Sequence, residues 1–205
     1  MGVYGGMRVR IACGVVALVG LVGVAVVRAV PAGADDVPAV SLGGPEYVWQ
    51  AAVPSTAVAA HLDAAAVIWG GCGLFDKNTK VIRAFTRVKA SVGGGYIPGG
   101  TSNLACGSEA WGYRHIVKNH LDQWEADAAL DGGNWRDLAD LAMSAALGDP
   151  DTIAYRSSND TFCYSHLIYL VDKRSGKVAA TRKPITIVAR VSKNIITSYP
   201  SNSGC

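Results

Sequence analysis

The sequence predicts an α+β fold: N-terminal helices packed on a small antiparallel sheet, cross-linked by two disulfides. Three observations point there. The expected helices, near 55–69, 109–130 and 135–147, all precede Pro150, and the chain after Pro150 breaks into short β-rich runs joined by tight turns. Four cysteines, Cys72, Cys106, Cys163 and Cys205, remain once an export signal is set aside.

The signal comes first in the chain. Arg8 and Arg10 precede an uncharged run from Ile11 to Val27, followed by Pro31, Ala32-Gly33-Ala34 and Asp35-Asp36. A basic start, an apolar core and small residues before an acidic pair form a secretory signal, with cleavage expected after Ala34. Cys13 lies at the start of this run and not after it, so the pattern does not suit a lipoprotein. Loss of residues 1–34 removes Arg8, Arg10 and Arg28, which turns a net charge of +3 into an even balance of cations and acids. The expected product is secreted, 171 of the 205 residues long, with no stable membrane association.

Residues 35–45 are expected to be a flexible lead and residues 46–205 a single domain. Ser55 or Thr56 can cap a helix ending at Gly70-Gly71. Val81 to Ala90 alternates apolar and basic residues, as an exposed strand does, and Gly93 to Gly107 reads as a glycine-rich loop. Ser108 precedes an amphipathic helix from Glu109 to about Leu130, which Asp131-Gly132-Gly133-Asn134 breaks. A second helix runs from Trp135 to Leu147 and ends at Gly148-Asp149-Pro150. Strands are expected at Thr152–Arg156, Thr161–Val171, Lys177–Thr181, Ile185–Val191 and Ile195–Tyr199, with turn residues between them.

An even number of cysteines in an exported chain implies two bridges. Three pairings are possible; early with early and late with late gives Cys72–Cys106 and Cys163–Cys205, the second of which would tie down Cys205. Charge is divided along the chain. Residues 122–151 hold eight acids against Arg136, whereas residues 173–193 hold seven cations and no acid, which could give the sheet a basic, phosphate-attracting face.

The residues that could carry chemistry are few. The cysteines are too dispersed for a zinc site, His115 and His120 lack HExxH spacing, and no phosphate loop or GxSxG elbow is present, so neither metal nor cofactor is expected. The segment Trp111 to His120 places His115, His120, Arg114 and Lys118 close together. Histidines titrate near neutral pH and can serve as acid and base. Five residues on a regular helix turn through about 140°, which would aim the two imidazoles apart. In the last strand Ile195, Thr197 and Tyr199 should share one face, with Ser198 between them and with Arg190 and Lys193 just before.

A helix carrying G-Y-x-H-I-x-x-x-H (residues 112–120), followed by strands ending in I-I-T-x-Y-P (residues 195–200), resembles the barnase/EndoU/colicin D/RelE-like endoribonucleases, over about residues 108–200. Many members are bacterial toxin domains. The resemblance implies metal-independent RNA cleavage through a 2′,3′-cyclic phosphate. It assigns the helix histidine to His115 or His120 and the last-strand hydroxyl to Thr197. Tyr199 would donate a hydrogen bond or stack a base. Lys118 and Arg190, with Lys193 and Ser198 beside them, would contact substrate. Barnase uses a sheet glutamate as base, and no glutamate follows Glu125, so activity would have to rest on histidine. The implied partners are RNA and an immunity protein. The competing expectation is an inactive secreted binding module that uses the basic sheet face.

Overall fold

The computed structural model describes residues 46–52 and 69–205. The expected signal segment, the lead and nearly all of the expected helix at 55–69 lie outside the described residues. The observed architecture corrects the expected fold class. The chain is mostly β, with eleven strands in four sheets and two helices among the described residues, and five of those strands precede the first helix. Among the described residues, helices do not open the domain.

In chain order the elements are β1 Tyr47–Gln50, β2 Val81–Arg87, β3 Ala90–Val92, β4 Gly95–Ile97, β5 Gly100–Ala105, α1 Gly112–Ala128 and α2 Trp135–Gly148. After them come β6 Thr152–Arg156, β7 Thr161–Ser165, β8 Ile168–Asp172, β9 Val178–Arg182, β10 Ile185–Ala189 and β11 Ile195–Tyr199. The sheets are β1-β8-β9, β11-β10-β7-β6, β2-β5 and β3-β4, and every paired strand runs antiparallel.

The departure has a specific cause. The glycines of 93–107, which suggested a loop, instead make hairpins. Val92 pairs with Gly95 across Gly93-Gly94, both at positive φ, which is the two-residue turn that suits the twist of a hairpin. Gly95 is glycine because a Cβ there would meet the Tyr155 ring at 2.4 Å. β2 then pairs with β5 around that hairpin. β1 pairs Tyr47 with Asp172 and Gln50 with Tyr169, a partnership that no local pattern announces. The expected strand Thr161–Val171 is two strands that belong to different sheets, parted at His166-Leu167.

One large core unites the elements. Trp124 and Ile116 of α1, Met143, Ala146 and Leu147 of α2, Phe162 and Tyr164 of β7, Val188 and Ile195 are all fully buried. The acidic helices do not stand apart from the basic strands: buried Asp140 accepts from Arg83 and from the Trp69 indole, and buried Asp127 pairs with Arg182. Arg87, expected on an exposed strand face, is buried and bonds to the Ser102 hydroxyl and the Pro98 carbonyl. The disulfides are Cys72–Cys106 and Cys163–Cys205, with Cα separations of 5.6 and 5.8 Å. No helix among the described residues is long and apolar enough to cross a membrane.

The entry to α1 is built from backbone. Trp111 at its N-cap offers no side-chain cap; the Cys106 carbonyl takes the Arg114 N–H at 3.0 Å instead. This requires the end of β5 to cross the start of α1 closely. A Cβ on Gly107 (φ +64°) would lie 1.9 Å from the Trp111 oxygen, and one on Gly112 (φ +77°) 2.7 Å from the Ala105 oxygen. Gly107→Ala should therefore cost about 2 kcal/mol or more and lower the melting temperature by roughly 4–8 °C. An unchanged thermal melt would contradict this crossing.

Candidate functional site

β11 is an edge strand, and α1 lies against it. An edge strand leaves backbone groups unpaired. Here the Trp124 indole, fully buried, donates to the Ser198 carbonyl at 3.1 Å. One turn earlier on α1, the His120 ring stacks on Tyr199, with centroids 4.8 Å apart and planes 24° from parallel.

His115 joins them. The two imidazole centroids are 5.6 Å apart, although both residues are helical. The expectation from angular spacing alone, that the rings diverge, is thus corrected.

Both tautomers are set by neighbours. His115 Nδ1 lies 2.7 Å from the Glu109 carbonyl, which can only accept, so Nδ1 carries the proton; the Asn119 amide nitrogen, although 3.1 Å from the same Nδ1, therefore donates to the His115 carbonyl at 3.0 Å. His120 Nδ1 donates to Gln123 Oε1 at 3.1 Å. Each neutral ring therefore presents Nε2 as a lone pair. Burial lowers the His120 pKa below its ordinary value, and repulsion from a protonated His115 lowers it further, against an upward pull from Gln123.

The remaining expected residues fall in different places. Lys118 pairs with the Glu109 carboxylate, while the Glu109 carbonyl holds His115, so Lys118 is a neighbour of the histidines on the exposed side. Thr197 and Tyr199 lie opposite Ile187 and Ile185 on one face of the sheet. Ile195 does not share that face. The register slips by one residue, with Val188 opposite Ile195 but Ile187 opposite Thr197, so Ile196 is a bulge and Ile195 turns into the main core. The Thr197 hydroxyl is buried with no hydrogen-bond partner. The Ser198 side chain is fully buried and donates to the Ile185 carbonyl at 3.0 Å, so it holds the sheet together instead of facing substrate.

Arg190 and Lys193 lie at the β10–β11 turn, at the end of β11 away from Tyr199, roughly 13 Å of strand apart. Arg190 pairs there with Asp160, and Lys193 donates to the Arg190 carbonyl. They are not brought to the histidines. The seven cations of 173–193 do not act as one free basic face: Arg174, Arg182 and Arg190 pair with Glu46, Asp127 and Asp160.

A shallow polar groove of about 220 Å³ adjoins the site, lined by Gln123, Asp127, Arg182, Pro200, Ser201 and Asn202. Gln123 touches His120, and Pro200 follows Tyr199. Sequence reasoning does not single out Gln123 or Arg182. The spacing of His120 and Gln123, three residues apart on a helix, could have shown the first. Nothing local could have shown Arg182, which β9 carries to Asp127.

No family model matches the chain. No solved structure matches it. Two uncharacterized proteins, from two strains of Mycobacterium tuberculosis, are each 37% identical to it over 140 residues. The match covers 66% of this chain and 50% of each relative, so the chain spans about half the length of the curated relatives it matches.

The lowered His120 pKa has a consequence for stability. As pH falls below 6.5, the ordinary histidine value, the unfolded chain takes up this proton before the folded one. The His120 contribution is whole above pH 6.5 and is lost as pH falls through the folded-state value. His120→Gln should flatten this part of a stability–pH curve measured by denaturant unfolding. An unchanged slope would contradict the burial of this ring.

Proposed function

We propose that the protein is an exported, metal-independent endoribonuclease that cleaves RNA through a 2′,3′-cyclic phosphate, acting as an antibacterial toxin. The observation that carries this reading is the pair of imidazoles 5.6 Å apart on an accessible helix face. Transesterification at phosphorus needs one group to take the proton of the attacking 2′-hydroxyl and another to protonate the departing 5′-oxygen. Two rings at this separation can each reach one of those oxygens at a hydrogen-bond distance of about 3 Å.

His120 is suited to the base's role, because burial favours its neutral form and Gln123 keeps the lone pair on Nε2. His115 takes the acid's role. Lys118 sits beside His115 in an exposed ion pair with Glu109, and such pairs exchange readily for a phosphate. Tyr199 fixes the His120 ring by stacking and carries a hydroxyl for a phosphoryl oxygen, whereas the Thr197 hydroxyl, two residues earlier on the strand, is buried. The sequence resemblance of residues 108–200 to the barnase/EndoU/colicin D/RelE-like endoribonucleases supports the same reaction class. Export is supported by the signal pattern of residues 1–34 and by two disulfides. A producer of such a toxin would need an immunity protein.

The test is RNA cleavage by the oxidised protein in EDTA. The wild type should leave cyclic-phosphate ends. His115→Ala and His120→Ala should each slow cleavage by about 10²-fold or more, and Arg190→Ala should leave it within a few-fold. Full activity in the His115→Ala/His120→Ala double variant would overturn the proposal.

A further inference from the structure

Leu74 and Phe75 are 86% and 96% exposed. Two adjacent large apolar residues this exposed are costly unless something covers them. Loose tethering does not account for them, because the loop that carries them is fixed at many points. Cys72 is bonded to Cys106 at its base. Arg114 of α1 donates to Asn78 Oδ1 and to the carbonyls of Gly107, Gly73 and Asp76 at 2.8–2.9 Å. The Asp76 carboxylate accepts from the Gly73 N–H at 2.7 Å and from Lys80 at 2.9 Å. Main-chain bonds from Cys106 to Lys80 and from Gly107 to Asn78 join the loop to β5. A rigid frame thus holds an apolar tip out in solvent.

The charge around the tip is positive. Phe75 lines a cleft of about 430 Å³ with Asp76, Lys77, Thr79 and Lys80. Asp76 is balanced by Lys80, whereas all four bonds of Arg114 go to neutral oxygens and Lys77 is exposed. Among the described residues neither Lys77 nor Arg114 forms an ion pair, although Arg114 acts on Asp76 at longer range, so three cations face one carboxylate beside two exposed apolar side chains.

We propose that the Leu74–Phe75 tip docks the protein onto an anionic lipid surface. The two side chains enter the boundary between headgroups and acyl chains, Lys77 and Lys80 lie over lipid phosphates, and Arg114, bound within the loop frame, adds positive potential behind them. Because Arg114 directly precedes His115, a docked loop would hold α1 close to the membrane. This role is separate from RNA cleavage and is tested without it.

The experiment is co-sedimentation of the disulfide-intact chain with phosphatidylglycerol-containing vesicles and with pure phosphatidylcholine vesicles. The comparison is with L74S/F75S, which shares every other apolar segment. Neither side chain packs in the core, so the variant should keep its near-ultraviolet circular dichroism. Wild type should bind the anionic vesicles, and binding should weaken as salt rises. L74S/F75S should bind at least about tenfold less, and the emission of F75W should shift to the blue on those vesicles only. Equal sedimentation of wild type and L74S/F75S would overturn the proposal, as would equal binding to neutral vesicles. Self-association in solution that L74S/F75S abolishes, without vesicle binding, would also overturn it and assign the tip to a second copy of the chain.

Discussion

The open edge of β11 has to be covered, and α1 is the element that covers it. A strand at the end of a sheet carries backbone groups that seek a partner, and here the partner includes a tryptophan indole aimed at the Ser198 carbonyl. Burying Trp124 completely fixes the rotation of α1 about its axis. Once that rotation is fixed, His120, four residues earlier, must lie over Tyr199. His115, a further five residues back, is held by the Glu109 carbonyl near the same ring. The candidate site is thus a consequence of how the sheet edge is closed.

The helix also has to begin at a defined place, and backbone crossing sets it. Gly107 and Gly112 allow the end of β5 to pass over the first turn, and the Cys106 carbonyl serves as the missing cap. Cys106 is bonded to Cys72, so the same point anchors the loop bearing Leu74 and Phe75. Arg114 ties that loop to α1 a second time. The histidine pair and the exposed apolar tip therefore share one rigid mount.

Much of the second half of the domain was legible in sequence because its signals are local. Both helices, broken by Asp131-Gly132-Gly133-Asn134 and by Gly148-Asp149-Pro150, lie close to where periodicity and turn residues put them. The first helix starts three residues later than Ser108 suggested, because its cap is a distant carbonyl and not a hydroxyl. The disulfide partners agree with the order of the cysteines along the chain. What was not legible depends on contacts between distant residues. Glycines at 93–95 look like a loop until Tyr155 packs over Gly95. β1 finds β8 more than a hundred residues away. The bulge at Ile196, which separates Ile195 from Thr197, arises only when β11 is laid against β10. At the site, the short motifs carried His115, His120 and Tyr199, whereas Arg190 and Lys193 looked close in sequence but lie at the wrong end of the strand.

The central claim is that His115, His120 and Tyr199 form one RNA-binding surface on α1 and β11. The most direct measurement is NMR of the two imidazole Cε1–H signals during titration with an RNA oligonucleotide carrying 2′-deoxy sugars, which can bind but cannot react. The expected result is that both signals and those of the Tyr199 ring shift together along one saturating curve. Shifts confined to residues around Arg190 and Lys193, or none at all at saturating oligonucleotide, would contradict the account.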